Sequence, residues 1–455
     1  DRPEALSTIP HVRLSDLPRD PAPVPTEVEE DGRLVLHAVQ TDGIVYPTVY
    51  FAADDLTEEQ LPYTSVLRAA LGQLPAGGMD ALELQKQLRL KLDGFSVALA
   101  PYSQYHDPQS YRLYAAVSFS ALEAKLPEAV RLAAQILTQT DFSDKAKLLE
   151  LIRQQRDGLQ QQIVNSGSSA AMLRASAALN AASACSERCA GVSYYRWLRE
   201  LEQNFDARAD ELIEMLRTLC EKLFVTARMR LSVTGGGGQS GALIQSGLHE
   251  ALPDGAGAAS GAPYRAQLLP ICKEGIVIPS EVSFTAVCGN VHAYSGDLRI
   301  ACRAASLGHY WNEIRVQGGA YGTGLLIRET GLVSAYTYRD PDCRRSRGAI
   351  GRTAAYLEAA AASGEAQDVN IIGAISDAEP LLSPRLQGAV ADTWLLKGMT
   401  MDDRRCMRHE LLEAGPASLA ACAGPIGSAL DTGIVCVFGP RTQLEACGDL
   451  SIQEL

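Results

Sequence analysis

No run of apolar residues in this chain approaches the roughly 18 needed to cross a bilayer as a helix, so no membrane span is expected. The opening Asp1-Arg2-Pro3-Glu4 lacks an initiator Met, a basic stretch and the apolar centre of a leader, and no targeting segment is visible. A start on Asp that runs at once into connector-like sequence leads us to expect a piece cut from something longer. Positive charge is also short: 41 Lys and Arg against 54 Asp and Glu give a formal charge of −13. Phosphate backbones need a basic surface, so this balance argues against nucleic acid as a partner. It is compatible with cationic peptides, and equally with a protein that is merely soluble. Paired cysteine motifs are missing as well. The eleven cysteines are odd in number and scattered, with no Cys-x-x-Cys. Cys185 and Cys189 stand four apart, a helical spacing that suits a metal or a disulfide, but no second pair joins them. Structural thiols in a reducing compartment are the expectation, cytoplasmic or otherwise, with a mitochondrial matrix admissible.

Catalytic motifs are scarce too. Zinc hydrolases commonly place two histidines one helical turn apart with a Glu between them. The seven histidines, at 11, 37, 106, 249, 292, 309 and 409, form no such pair. His409-Glu410-Leu411-Leu412-Glu413 has Glu where the second His belongs, and His309-Tyr310-Trp311-Asn312-Glu313 fails at two positions. There is no Gly-x-Ser-x-Gly elbow and no cysteine in a recognisable activating motif. The tetraglycine Gly235–Gly238 follows a strand-like run, but no Lys-Ser/Thr follows it to reach a phosphate.

At 455 residues, 46% hydrophobic and 21% charged, the chain suits two globular domains rather than one core. Six prolines among residues 1–30 mark an extended connector. A Gly/Ala-rich stretch, 235–262, has linker composition. It separates a domain over 31–234 from one over 263–455. The two share an order of elements. In the first, a β-rich run at Thr48–Phe51 precedes a helix with Leu61, Val66, Leu67 and Leu71. Alternating strands at 95–99 and 113–119 follow, then helices near 121–140 and 144–165, and a closing strand at Met229–Val233. In the second, a strand at Phe284–Cys288 precedes a helix over 296–315. Strands near 321–327 and 332–338, helices near 344–363 and 402–413, and a closing strand at Gly433–Phe438 complete it. The pattern predicts an α+β fold built twice, each copy an antiparallel or mixed sheet covered by helices.

One stretch carries chemistry. Trp311-Asn312-Glu313-Ile314-Arg315-Val316-Gln317-Gly318-Gly319-Ala320-Tyr321-Gly322-Thr323-Gly324 ends an amphipathic helix and turns through paired glycines into a strand. On one reading this is a helix stop and a tight connection, with Arg315 solvated and Tyr321 half-buried. On the other, a guanidinium and a phenol are presented together, both able to donate to a peptide carbonyl or a developing oxyanion.

This run, followed by Ser334-Ala335-Tyr336-Thr337-Tyr338-Arg339-Asp340-Pro341, resembles the last domain of presequence-protease-type enzymes of the pitrilysin/insulinase family. Ile9–Leu17 is similar to that family's connector, and Leu56–Tyr63 to the opening of its third domain. The likeness covers nearly the whole chain and is weakest across 166–200 and 240–262. It implies four similar α+β domains paired as two halves that close over a peptide chamber, of which this chain matches the third and fourth. It implies zinc bound by the absent N-terminal half, which carries His-x-x-Glu-His, and none bound here. Arg315 and Tyr321 would reach across to the substrate and stabilise the tetrahedral intermediate, with Gly318, Gly319 and Ala320 in the substrate-binding turn. At the position of the family's zinc helix this chain reads Pro62-Tyr63-Thr64-Ser65-Val66-Leu67-Arg68, without a ligand. The partners implied are the N-terminal catalytic half, in the same polypeptide or as a separate subunit, and short unstructured peptides. The fragment alone is expected to be inactive. The alternative is a separate non-catalytic subunit that binds peptides or assembles with a zinc-bearing half. An independent hydrolase with an unrecognised site is a third option.

Overall fold

The computed structural model describes residues 12–255 and 267–455. His11, the start of the connector and the end of the expected linker lie outside them. The chain divides into two compact units.

The N-terminal unit comprises residues 24–270 with 382–399 and Leu455. Six strands form its sheet: β1 (Thr26–Val28), β2 (Leu34–His37), β3 (Ile44–Ala52), β4 (Asp93–Ser103), β5 (Tyr111–Leu122) and β6 (Met229–Thr234). They lie in the order β1-β2-β6-β3-β5-β4. The last strand enters between the early ones, pairing parallel to β2 and antiparallel to β3. Alternation explains the buried face: in β5, Tyr111, Leu113, Ala115, Val117 and Phe119 all point into the core. Helices Leu126–Gln139 and Lys145–Asn165 lie where the periodicity places them. Their starts are set by Pro127 and by the Asp144 carboxylate, which accepts from the Lys147 amide. Helices Leu61–Ala70 and Ala81–Lys91 and four more between Gly167 and Leu223 add to the cover.

The C-terminal unit comprises residues 271–381 and 400–454, joined by the described part of residues 1–23. Its strands are β7 (Lys273–Val277), β8 (Phe284–Asn290), β9 (Gly322–Ile327), β10 (Leu332–Tyr338), β11 (Ile434–Gly439) and β12 (Ser451–Glu454). In the order β12-β7-β11-β8-β10-β9, the five strands from β7 to β9 repeat β2-β6-β3-β5-β4 of the first sheet, including the parallel pair formed by the closing strand. The outer edge differs: β1 is antiparallel to β2, whereas β12, the last strand, is parallel to β7. Each unit has its own core. The α+β fold built twice, read from element order, is therefore the observed architecture.

Three boundaries differ from expectation. The stretch read as linker holds the helix Gly237–Ala251, which buries Ile244 and Leu248. Its glycines serve geometry rather than flexibility. Gly235 and Gly236 have φ of +81° and +70°, and a Cβ on Gly235 would lie 2.2 Å from Thr41 Oγ1. Residues 382–399, placed in the second domain by sequence, belong to the N-terminal unit. Their helix Pro384–Lys397 is tied there by Asp392, which bonds His37 and Tyr50. The connector is not wholly extended coil: Thr26–Val28 forms β1, and Leu14 and Leu17 pack against the C-terminal core.

Candidate functional site

In the C-terminal unit, helix Gly296–Ala304 begins at Ser295, whose hydroxyl accepts from the Leu298 amide. It continues as a π-helix, Ala305–Val316, a wide register often found at functional sites. Two buried side chains anchor its inner face. His309 Nε2 lies 2.8 Å from the Ala349 carbonyl, and the Tyr310 hydroxyl 2.8 Å from Thr353 Oγ1. On the outer face the Arg315 guanidinium stacks 3.9 Å above the Trp311 ring, a cation–π contact that limits its swing.

The helix then stops abruptly. The Gly319 amide donates to the Arg315 carbonyl and the Ala320 amide to the Ile314 carbonyl. Gly319 adopts φ +81°, and a Cβ on Gly318 would sit 2.3 Å from the Ile314 carbonyl oxygen, so neither position admits a side chain without movement. Ala320 is buried. The Tyr321 amide donates to the Tyr338 carbonyl at 3.0 Å and starts the β9–β10 hairpin. Tyr321 itself is 73% exposed, and its hydroxyl has no partner among the described residues. Arg315 is half-buried under its stack, without a hydrogen-bond acceptor among the described residues. Thus both groups nominated by sequence stand on one helix–turn–strand module, and neither is sealed in the core. The amides of Gly319 and Ala320 are committed to the helix end, so these residues shape the turn and do not offer those N–H groups to a ligand.

The Tyr338-Arg339-Asp340-Pro341 run closes the hairpin. Arg339 takes the left-handed conformation, φ 49°. Asp340 is fully buried, exchanges backbone hydrogen bonds with Ser283, and accepts from the Asp342 amide. Burial pushes the Asp340 carboxyl above the usual range, against the pull of the Asp342 amide.

The donor set does not suit a metal. On the helix Leu61–Ala70, where the family's ligands would stand, the Tyr63 hydroxyl donates to Glu211 at 2.8 Å. The Thr64 and Ser65 hydroxyls donate to the carbonyls of Leu61 and Cys189. Among the described residues, no group of three or more His, Cys, Asp or Glu is placed to hold an ion. His409 pairs with Asp20 at 3.1 Å on the surface, and the helix carrying Glu410 and Glu413 ends beside it.

Sequence reasoning missed a second cluster, in the N-terminal unit. Buried His37 bonds Thr26 Oγ1 through Nδ1 and Asp392 Oδ1 through Nε2, both at 2.9 Å. The Tyr50 hydroxyl donates to Asp392 Oδ2 at 3.0 Å. Burial first, and then the Asp392 charge, push the Tyr50 phenol up. His37 and Asp392 are 355 positions apart, and the sequence carries no signal of this pair.

The class of protein follows from comparison with known sequences and folds. A model for the region associated with subfamily C of the M16 peptidases matches residues 1–201, and one described as "PreP C-terminal domain" matches residues 273–424. The chain belongs to the pitrilysin family of peptidases and corresponds to the non-catalytic C-terminal half of its presequence-protease branch. It is 25% identical to "Protein HypA" of Clostridium perfringens, over 99% of this chain and 47% of that protein. It is also 25% identical to "Presequence protease 1, chloroplastic/mitochondrial" of Arabidopsis thaliana, over 99% of this chain and 42% of that one. The chain thus spans less than half the length of these relatives. The fold matches a solved peptidase M16 inactive domain from Pseudomonas fluorescens with TM-score 0.63 and 14% identity, covering 92% of this chain and 98% of that one. No helix among the described residues is long and apolar enough to cross a membrane.

Proposed function

We propose that this chain is the substrate-closing half of a zinc metalloendopeptidase that degrades short unstructured peptides in a closed chamber. Arg315 and Tyr321 act on the scissile carbonyl. The observation that carries this reading is the exposed, unpartnered Tyr321 hydroxyl, one tight turn from an Arg315 guanidinium braced on Trp311. A phenol and a guanidinium held on a rigid frame donate to an oxygen that gains charge as the carbonyl becomes tetrahedral, and such donors act most strongly once water is excluded. Gly318, Gly319 and Ala320 keep the turn flat enough for a peptide backbone to approach. The zinc belongs to the other half, and this chain contributes no ligand to it.

A second reading keeps the same fold and site and alters only the covalent link between the two halves. On that reading the half is a separate polypeptide that assembles with a zinc-bearing partner. Purified alone, the chain should hydrolyse no peptide above background and hold no stoichiometric zinc by elemental analysis. Addition of the zinc-bearing half should restore turnover. Tight zinc or turnover in the isolated chain contradicts the proposal, and co-purification of a separately encoded partner decides for the second reading.

A further inference from the structure

Two cysteines that are 104 residues apart in sequence meet in the C-terminal unit. Cys343 is the first residue of helix Cys343–Ile350, and Cys447 the last of helix Arg441–Cys447. Their Sγ atoms are 3.2 Å apart. A disulfide needs about 2.0 Å, so the two thiols are in contact and not bonded. Their surroundings differ. Cys343 is buried, and its thiol also points to the Gln443 carbonyl at 3.8 Å. Cys447 is half-buried and lines an open pocket with Lys273, Arg344, Arg347 and Asp449. Arg347 grips Asp449 through two 2.7 Å hydrogen bonds, which fixes its guanidinium beside Cys447.

We propose that Cys343 and Cys447 form a reversible redox couple, closed to an intrachain disulfide by peroxides and reopened by thiol reductants. Cys447 is the attacking sulfur. The Cys343 S–H and then Arg347 favour its thiolate, against burial and the Asp449 charge. Cys343 stays a thiol, held up by its bond to Cys447, by burial, and by the Cys447 and Asp340 charges. In the first step the Cys447 thiolate attacks one peroxide oxygen. The O–O bond breaks, hydroxide leaves and takes a proton, and Cys447 becomes a sulfenic acid. In the second, Cys343 gives up its proton and attacks the Cys447 sulfur. The S–S bond forms, the S–O bond breaks, and water departs. Two thiols and hydrogen peroxide yield one disulfide and two waters, with two electrons passing from sulfur to oxygen.

The other close pair behaves differently. Cys185 and Cys189 stand four apart on the helix Ala181–Ala190, but both are buried in the N-terminal core, and the Cys189 thiol is turned to the Leu61 carbonyl. Exposed Cys272 and Cys406 are approachable and have no neighbouring thiol among the described residues.

The test uses the full chain. On the reduced protein at neutral pH, iodoacetamide should modify Cys447 about ten times faster than Cys272 and Cys406. Dilute hydrogen peroxide should then remove two hydrogens from the intact mass and give a non-reduced peptide joining Cys343 to Cys447, which dithiothreitol releases. Closing so long a loop should raise the melting temperature of the oxidised form by several degrees. In Cys343→Ser, dimedone should trap Cys447 as a sulfenic acid. Cys447 reacting no faster than the exposed cysteines would overturn the proposal, and that measurement needs no variant to fold. So would peroxide-treated protein in which both Cys343 and Cys447 still alkylate.

Discussion

At the scale of single residues, the strongest constraints lie away from the Arg/Tyr module. Asp392 accepts from Tyr50 and bonds His37 inside the N-terminal unit, so its removal strands two buried polar groups. Asp392→Ala should cost about 2–4 kcal/mol in urea unfolding, and Asp392→Asn less, since its amide keeps one bond to each neighbour. A loss near zero for the alanine variant would show that water reaches the cluster. Asp55 gives a pH signature. Arg228 holds its carboxylate with hydrogen bonds of 2.7 and 2.8 Å, and that bond, opposed by burial and aided by the charges of Arg228 and Lys222, lowers its pKa. A carboxyl whose folded value lies below its unfolded value of about 3.9 adds stability above that pH, and loses it as pH falls through the folded value. Wild type should therefore lose stability below about pH 4 more steeply than Asp55→Asn, as read from urea midpoints across a series from neutral to acid. Parallel curves would show that Asp55 carries no such linkage.

At the scale of elements, the turn between the π-helix and β9 is the most position-specific. Gly318 is fixed by the Ile314 carbonyl and Gly319 by its positive φ. Gly319→Ala should cost about 1 kcal/mol from backbone strain, and Gly318→Ala more, because the obstacle is backbone that cannot step aside. Circular dichroism melts of the two variants give the order, and a smaller loss at Gly318 would contradict the packing described. This turn was legible in sequence because paired glycines after an amphipathic helix have few other uses. The same logic misled at Gly235–Gly238, where glycine density read as a linker. There the glycines let the strand end pass Thr41, and Ile244 and Leu248, four apart, are the only mark of the helix that follows. The π-register was not legible either, since a slightly wider turn leaves no trace in a hydrophobic pattern anchored by His309, Tyr310 and Ile314.

At the scale of the molecule, the repeat emerged from element order because alternation in β5 and β10 and the closing strands β6 and β11 are local signals. What escaped is non-local. Residues 382–399 join the N-terminal unit through Asp392, and the Cys343–Cys447 meeting bridges two helices far apart in the chain. Pairings of this kind depend on the finished fold and not on any spacing. The Arg315–Tyr321 module was visible in part as sequence and in part only through family resemblance. Its exposure and the Trp311 brace are structural additions. In the proposed function, the Tyr321 phenol lies idle in this chain and works only opposite the zinc-bearing half. The most direct measurement is steady-state peptide hydrolysis by the assembled two-half enzyme carrying Tyr321→Phe. A fall in kcat of about 100-fold or more, with KM little changed, is the predicted result. An unchanged kcat would contradict it.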